Sequence, residues 1–214
     1  MTKLPLDGAK YSPWQVLCSA NAFYALSCAY TDLLPKDVTY PNPHFPALAD
    51  AQASATNRIL ALELYLKAML VGAGVQFPAN HDLVVLFQAL PVDIQKEVEE
   101  GYNKRRTAAD DPAAFVEIVL RFQLTDSPEQ TVHDRPEPKV IDRSLAGLLE
   151  RNRKGFVEAR YLFGRASFDT ASLFFYEHLR IAILCGVLCK ILETSLLNRS
   201  EKYNRSFLFE GWDN

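Results

Sequence analysis

The stretch ELYLKAMLVGAGVQFPANHDLVVL, residues 63–86, predicts a helix, a glycine stop, a short loop and a second helix. Its apolar residues recur at spacings of three and four and do not alternate, which is typical of a buried helical face. Gly72 and Gly74 end the first helix, because glycine tolerates the left-handed conformation of a helix terminus. The same spacing continues on both sides of this stretch, so the sequence predicts an all-α protein.

About seven helices and no convincing strand are predicted along the chain. Ser12 and Pro13 cap and open the first helix, and Asn80 is the expected cap of the third. The last helix is the most uniformly apolar, so we expect it at the centre of the bundle. The predicted helices cover residues 13–32, 48–71, 81–89, 91–106, 112–123, 144–164 and 170–198, with proline-containing loops at 33–46 and 125–143.

The length and composition predict one folded helical domain over residues 1–214. With 49% hydrophobic and 23% charged residues, the 214-residue chain is typical of globular proteins. We expect an up-and-down bundle with a core at about 47–197, on which the helix at 12–32 packs. A net charge of -3 and a pI of about 5.8 give no global attraction for nucleic acid or anionic lipid. Any such binding therefore requires a local basic patch.

Several classes of site and location are disfavoured by the motifs that the sequence lacks. It has no glycine-rich phosphate loop, no GxSxG, no HExxH and no metal-spaced Cys/His cluster. The longest apolar run, residues 181–189, is far shorter than the roughly 20 residues of a membrane span. We therefore expect no cofactor, no metal, no membrane partner and a cytoplasmic location. Buried free thiols are expected at all four cysteines, with a metal site or disulfide as alternatives: Cys18, Cys28, Cys185 and Cys189.

Three charged or titratable residues accompany the apolar face of residues 63–86. Lys67 follows Glu63 by four positions, the favourable order for a helical ion pair. This pair is either solvated at the rim of the core or part of a functional or interface site. His81 is predicted in the first turn of the third helix.

Polar residues also interrupt the apolar stripes of the last two predicted helices. Asn152 lies on the stripe of the helix at 144–164, and a buried amide without a partner costs about 1–3 kcal/mol. We therefore expect Asn152 to have a polar partner across the stripe or at a subunit interface. His178 lies on the stripe of the last helix, either as a satisfied core residue or as part of a site. If the two helices pack together, Asn152, Arg160 and His178 approach one another and form the candidate catalytic group.

The densest basic cluster of the chain surrounds Asn152. It consists of Arg151, Arg153, Lys154, Arg160 and Arg165, and Glu150 and Glu158 interrupt it. The cluster is either a solvated charged face or a patch that meets phosphate groups.

The order of ELYLKAMLVGAG, HDLVVLFQALP and RNRKGFVEARYLFG resembles the HEPN superfamily, helical bundles named for higher eukaryotes and prokaryotes nucleotide-binding domains. The matching positions are Glu63, Lys67, His81-Asp82-Leu83 and Arg160-Tyr161, and the resemblance covers about residues 47–197. It implies a homodimer whose functional cleft is shared between two copies. The candidate binding residues are then Glu63, Lys67, His81, Arg151, Arg153, Arg160 and Tyr161.

The resemblance also bears on catalysis. Many members are metal-independent RNases, in which an arginine is followed after four to six residues by a histidine on one helix. No histidine of this chain has an arginine four to seven positions before it: His44, His81, His133 and His178. We therefore predict a non-catalytic binding or accessory module for a nucleotide, RNA or partner protein, and the resemblance implies a defence or toxin-antitoxin setting. The alternatives are an RNase or nucleotide-processing enzyme with a non-standard site, and an unrelated helical scaffold.

Overall fold

The computed structural model describes residues 12–31, 45–76, 78–109, 118–121, 142–160 and 173–200. In these ranges the chain forms seven helices and a two-stranded antiparallel ribbon. The predicted all-α fold class is confirmed. The elements are α1 (Pro13–Thr31), α2 (Phe45–Gly72), α3 (Leu83–Gln88), α4 (Val92–Ala109), β1 (Ile118–Arg121), α5 (Leu145–Arg151), α6 (Gly155–Arg160), β2 (Leu173–Tyr176) and α7 (His178–Ser200).

Helix α2 is the centre of the bundle. It contacts α1 along its length and also packs against α3, α6 and α7. Most of its side chains between residues 54 and 70 are buried. The prediction that the last helix is central is therefore wrong, because α7 packs on α2, α4 and α1 while its residues 193–195 are exposed.

The predicted glycine stop at the end of α2 is confirmed. Gly74 has a φ of 70°, and its N–H donates to the Val71 carbonyl. The Val75 N–H donates to the Leu70 carbonyl at 2.8 Å. These two bonds form a Schellman motif, which satisfies carbonyls that the helix terminus would otherwise leave without a donor. The chain consequently turns sharply and leads into α3.

Helices α4 and α7 approach closely at Gly101. A β-carbon at this position would lie 2.9 Å from Cγ1 of Val187, so only glycine fits without movement. Close packing of this kind is sensitive to a single added methyl group. The contact fixes α4 beside α7 and places Tyr102 in the interior, where its side chain is buried.

Three predicted segments differ from the structure. Residues 118–121, predicted as helix, form β1 and pair with β2, with Ile118 opposite Tyr176 and Arg121 opposite Leu173. Both strands are rich in β-branched or aromatic residues, which favour extended pairing. The predicted helix at 144–164 breaks at a turn over residues 152–154, and the last helix begins at His178 instead of near residue 170. Of the predicted loops, 33–44 and 125–141 lie outside the described residues.

The four cysteines carry free thiols, but their burial differs from the prediction. Only Cys185 is buried; Cys28 and Cys189 are half-buried and Cys18 is exposed on α1. None of the helices in the described ranges has both the length and the apolar character that crossing a bilayer requires.

Candidate functional site

A buried carboxylate on α2 holds a histidine at the entry to α3. The Glu63 side chain is 2% exposed, and Oε1 accepts a hydrogen bond from Lys67 Nζ at 2.5 Å. His81 Nδ1 lies 2.9 and 3.0 Å from the two Glu63 carboxylate oxygens. The His81 ring also packs on Phe156 of α6, with 5.4 Å between ring centroids. We call Glu63, Lys67, His81 and Phe156 the histidine cluster. The pair of Glu63 and Lys67 is thus buried at its acidic end and is not a solvated rim pair.

The orientation of His81 follows from its partner. Because a carboxylate only accepts hydrogen bonds, Nδ1 carries a proton, and in the corresponding neutral tautomer the lone pair is on Nε2. The His81 side chain is 53% exposed, so Nε2 is the ring nitrogen left for solvent or a ligand. The arrangement is that of a carboxylate-oriented imidazole, which can accept a proton or bind a polar group.

The start of α3 is capped by Asp82, one residue after His81. Asp82 Oδ1 accepts from the Val85 N–H at 3.1 Å, whereas Asn80, the predicted cap, accepts from the Asp82 N–H. Helix α3 therefore begins two residues later than predicted, and His81 lies before the helix and not in its first turn. The loop that follows the Schellman motif brings the His81 imidazole back to Glu63 on α2.

Asp82 also binds Arg153 from the turn between α5 and α6. The distance from Arg153 Nε to Asp82 Oδ2 is 2.7 Å, and the Arg153 carbonyl accepts from the Leu83 N–H at 3.1 Å. Desolvation alone would raise the pKa of Asp82, but the hydrogen bonds from Arg153 and Val85 and the Arg153 charge hold it below its ordinary value. The turn and the start of α3 are thereby joined by a side-chain and a main-chain contact.

A second polar group surrounds Glu177, immediately before α7. Arg151 donates to both Glu177 oxygens, from Nε at 2.9 Å and from a terminal nitrogen at 3.0 Å. Arg180 donates to Glu177 at 2.6 Å, and both of these side chains are nearly buried. We call Tyr102, Arg151, Asn152, Glu177 and Arg180 the glutamate cluster.

Asn152 has the polar partners that its place on an apolar stripe predicted. It is buried, and its amide nitrogen donates to the Leu148 carbonyl at 2.9 Å and to Glu177 at 3.4 Å. As the C-cap of α5, it also ends that helix. Asn152 thus reaches the residue that precedes His178, the first residue of α7.

Tyr102 contributes a buried hydroxyl to the same cluster. Its oxygen has no hydrogen-bond partner within the described residues. Burial raises the pKa of Tyr102 more than the nearby charge of Arg180 lowers it, so the phenol stays protonated. A buried hydroxyl without a partner carries a desolvation cost.

The two clusters meet at the turn over residues 152–154. Arg151 and Asn152 face the start of α7, while Arg153 faces the start of α3. Phe156, just past the turn, contacts His81. The turn therefore connects the two candidate regions, residues 63–81 and 151–160, and we call the polar side chains along residues 151–160 the polar strip.

Much of the positive charge in this strip is neutralised by ion pairs. Arg151 pairs with Glu177, and Arg153 pairs with Asp82 and, at 3.3 Å, with Glu150. Lys154 is exposed. The strip therefore holds fixed guanidinium groups in place and does not create a strong positive field.

The remaining predicted site residues are described only in part. Arg160 is exposed at the end of α6, which packs on α2. Tyr161 lies outside the described residues, and of His178 only the backbone position is described. The approach of Asn152, Arg160 and His178 to one another stays a prediction. Within the described ranges, no group of three or more His, Cys, Asp or Glu residues is placed to hold a metal ion.

Sequence reasoning missed three members of the glutamate cluster. Glu177 and Arg180 carry a visible signal, the three-residue spacing of opposite charges at a helix start. Tyr102 carries none, because it stands among charged residues of α4 and its burial depends on the Gly101 contact with α7.

Comparisons of the chain with protein-family models, with curated proteins and with solved structures found no match.

Proposed function

We propose that the chain is a non-catalytic, HEPN-like binding or accessory module whose polar strip binds phosphate groups of a nucleotide or RNA. The observation that carries the proposal is a pair of oriented arginines, one at the end of α5 and one in the turn that follows it. Arg151 and Arg153 point to opposite edges of the turn, each fixed by a carboxylate, and their side chains are 33% and 42% exposed.

Fixed guanidinium groups suit phosphate recognition. An arginine that is already ordered loses less conformational freedom when a ligand binds, and its planar fork matches phosphate oxygens. Lys154 and Arg160 add exposed cationic side chains along the same segment. Because acids neutralise Arg151 and Arg153, we expect weak binding with a shallow salt dependence.

The proposed HEPN-like character draws on contacts among the residues that carry the resemblance. Glu63 contacts both Lys67 and His81, although His81 is 18 positions further along the chain. Asp82 caps the following helix.

We further propose a homodimer with the strip near the shared cleft, and sedimentation velocity measures the oligomeric state directly. A monomer at all accessible concentrations would contradict the dimer and leave the strip to be tested alone.

Charge reversal at two exposed positions tests the phosphate site while Arg151 and Arg153 keep their own ion pairs. The test variant is Lys154→Glu combined with Arg160→Glu, and the matched control is Lys96→Glu on the exposed face of α4. Fluorescence anisotropy with labelled single-stranded RNA and with a labelled nucleotide should show binding that the test variant loses and the control keeps. Equal binding by all three proteins would exclude Lys154 and Arg160 from the phosphate site. No binding by the wild type would contradict the phosphate site and point to a partner protein instead.

One observation favours a second candidate, a metal-independent RNase or nucleotide-processing enzyme. The Glu63 carboxylate orients His81 in the way that a general base requires. Incubation of labelled RNA with the protein in chelator tests this candidate. Cleavage that His81→Asn and His178→Ala both leave unchanged would exclude both histidines as its source.

A further inference from the structure

A cleft of about 570 Å³ lies between α1 and α7, both of which pack on α2. Tyr65 of α2 and Cys185 of α7 are buried at its base. Its volume is within the range of about 300–1,000 Å³ that is usual for small-molecule sites. The lining residues are Asn21, Tyr24, Tyr65, Cys185, Gly186, Cys189, Lys190 and Glu193. None of them belongs to the histidine cluster or the glutamate cluster.

Asn21 gives the cleft a directional polar group. Its Oδ1 accepts from the Tyr65 hydroxyl at 2.7 Å and from the Cys189 thiol at 3.6 Å. The one Cys189 S–H also lies 3.5 Å from Glu193 Oε1, so the bond from the Tyr65 hydroxyl is the one that defines this end of the amide. The other end, Nδ2, has no hydrogen-bond partner within the described residues. The amide thus has two N–H donors left for a group that enters the cleft.

The walls of the cleft are neutral. Burial raises the pKa of Tyr65, of Cys185 and of Cys189, so the phenol and both thiols stay protonated near neutral pH. Thiols in this state are poor nucleophiles, which disfavours a covalent site. Lys190 and Glu193 at the exposed end carry opposite charges. The cleft consequently offers no net charge to an ionic ligand.

One wall of the cleft is an aromatic ring that is held in place. The guanidinium of Arg58 lies 5.5 Å from the centroid of the Tyr24 ring, and the same side chain donates to Ser27 Oγ at 3.0 Å. A ring fixed in this way is a surface on which a flat molecule packs with little loss of side-chain freedom.

We propose that the cleft binds a small, neutral ring compound that carries a carbonyl-type acceptor. The ring packs between Tyr24 and the thiol wall, and the acceptor oxygen receives a hydrogen bond from Asn21 Nδ2. This inference does not rest on the proposed binding of phosphate groups, because it uses other helices and an uncharged ligand.

The test uses prodan, a neutral naphthalene ketone whose fluorescence shifts to the blue when it leaves water. The full-length wild-type protein should shift the emission in a saturable way. The matched ligand is 2-dimethylaminonaphthalene, which lacks the ketone and should bind about tenfold more weakly, since one hydrogen bond is lost. No saturable shift, or equal affinity for the two ligands, would overturn the proposal.

Two variants and a control locate the binding. Asn21→Asp keeps the acceptor for Tyr65 and replaces the N–H donors by a second acceptor, so prodan affinity should fall about tenfold or more. Cys189→Phe fills the cleft and should abolish the shift. Cys18→Ser on the exposed face of α1 should bind as the wild type does. Wild-type affinity for prodan in either cleft variant, with a native circular dichroism spectrum, would show that prodan binds elsewhere and would overturn the assignment. If a variant fails to fold, the comparison of prodan with 2-dimethylaminonaphthalene on the wild type tests the proposal.

Discussion

Replacing Glu63 with glutamine tests whether a buried charge joins α2 to the entry of α3. Glutamine keeps the volume of the side chain but removes its charge, so Lys67 loses its ionic partner and His81 loses the carboxylate that accepts from Nδ1. Removing one partner of a buried ion pair costs about 3–5 kcal/mol. Because the Lys67 side chain is 15% exposed and His81 is half exposed, part of this cost is relieved by water. We expect Glu63→Gln to lower the free energy of unfolding by about 2–3 kcal/mol.

Urea unfolding followed by far-ultraviolet circular dichroism measures this loss. The double variant Glu63→Gln with Lys67→Met should recover about 1 kcal/mol or more, because it no longer buries an ammonium beside a neutral amide. The matched control is Glu150→Gln, whose carboxylate is largely exposed and pairs with Arg153. The control should change stability by less than about 0.5 kcal/mol.

Two results would refute the reasoning. If Glu63→Gln and Glu150→Gln had the same free energy of unfolding, the burial of Glu63 would carry no energetic weight. If the losses from Glu63→Gln and Lys67→Met simply added in the double variant, the two residues would not act as a pair.

Three further predictions concern single positions, each read by urea unfolding. Gly74→Ala should cost about 1–2 kcal/mol because its φ is 70°, whereas Gly72→Ala, whose β-carbon would lie 3.9 Å from its nearest neighbour, should gain about 0.5–1 kcal/mol. Tyr102→Phe should leave stability unchanged or raise it by up to about 1 kcal/mol, since the hydroxyl it removes has no partner, and a loss would reveal an unseen hydrogen bond. The lowered pKa of Asp82 means that its ionised form adds stability above about pH 4, which is lost as pH falls through the folded-state pKa. Asp82→Asn should therefore reduce the acid-induced loss of stability, and an unchanged pH profile would contradict this account.

The helices and ends that the sequence predicted correctly are those set by local signals. The glycine stop after α2 depends on a few neighbouring residues, and α1 begins where Ser12 precedes Pro13. The Gln15 side chain also accepts from the Ser12 N–H at 3.4 Å, which is one half of a capping box. Such features need no knowledge of the tertiary structure.

The parts that the sequence did not predict depend on distant contacts. The apolar spacing around Asn152 suggested one continuous helix, yet the chain turns there and Gly155 packs on α2. A β-carbon at Gly155 would lie 3.1 Å from Cδ1 of Ile59, and no local pattern reveals that neighbour. The extended residues 118–121 pair with a segment more than fifty positions away, and a short apolar run does not distinguish strand from helix.

The candidate site shows the same division. The spacing of Glu63 and Lys67 predicted their ion pair, because four residues make one helical turn. The contact of Glu63 with His81 depends on the path of the loop after Gly74, and the burial of Glu63 depends on the helices around α2. Neither could be derived from spacing alone.

Arg153 contacts the start of α3 twice: its side chain binds Asp82, and its main-chain carbonyl accepts from the Leu83 N–H. These two attachments restrain the turn after α5 relative to the entry to α3. His81 is carried with them, since it immediately precedes Asp82. A ligand that shifts this turn would therefore change ligand binding at His81. Because coupling between two binding sites is reciprocal, a ligand bound at His81 would change binding at the turn by the same factor.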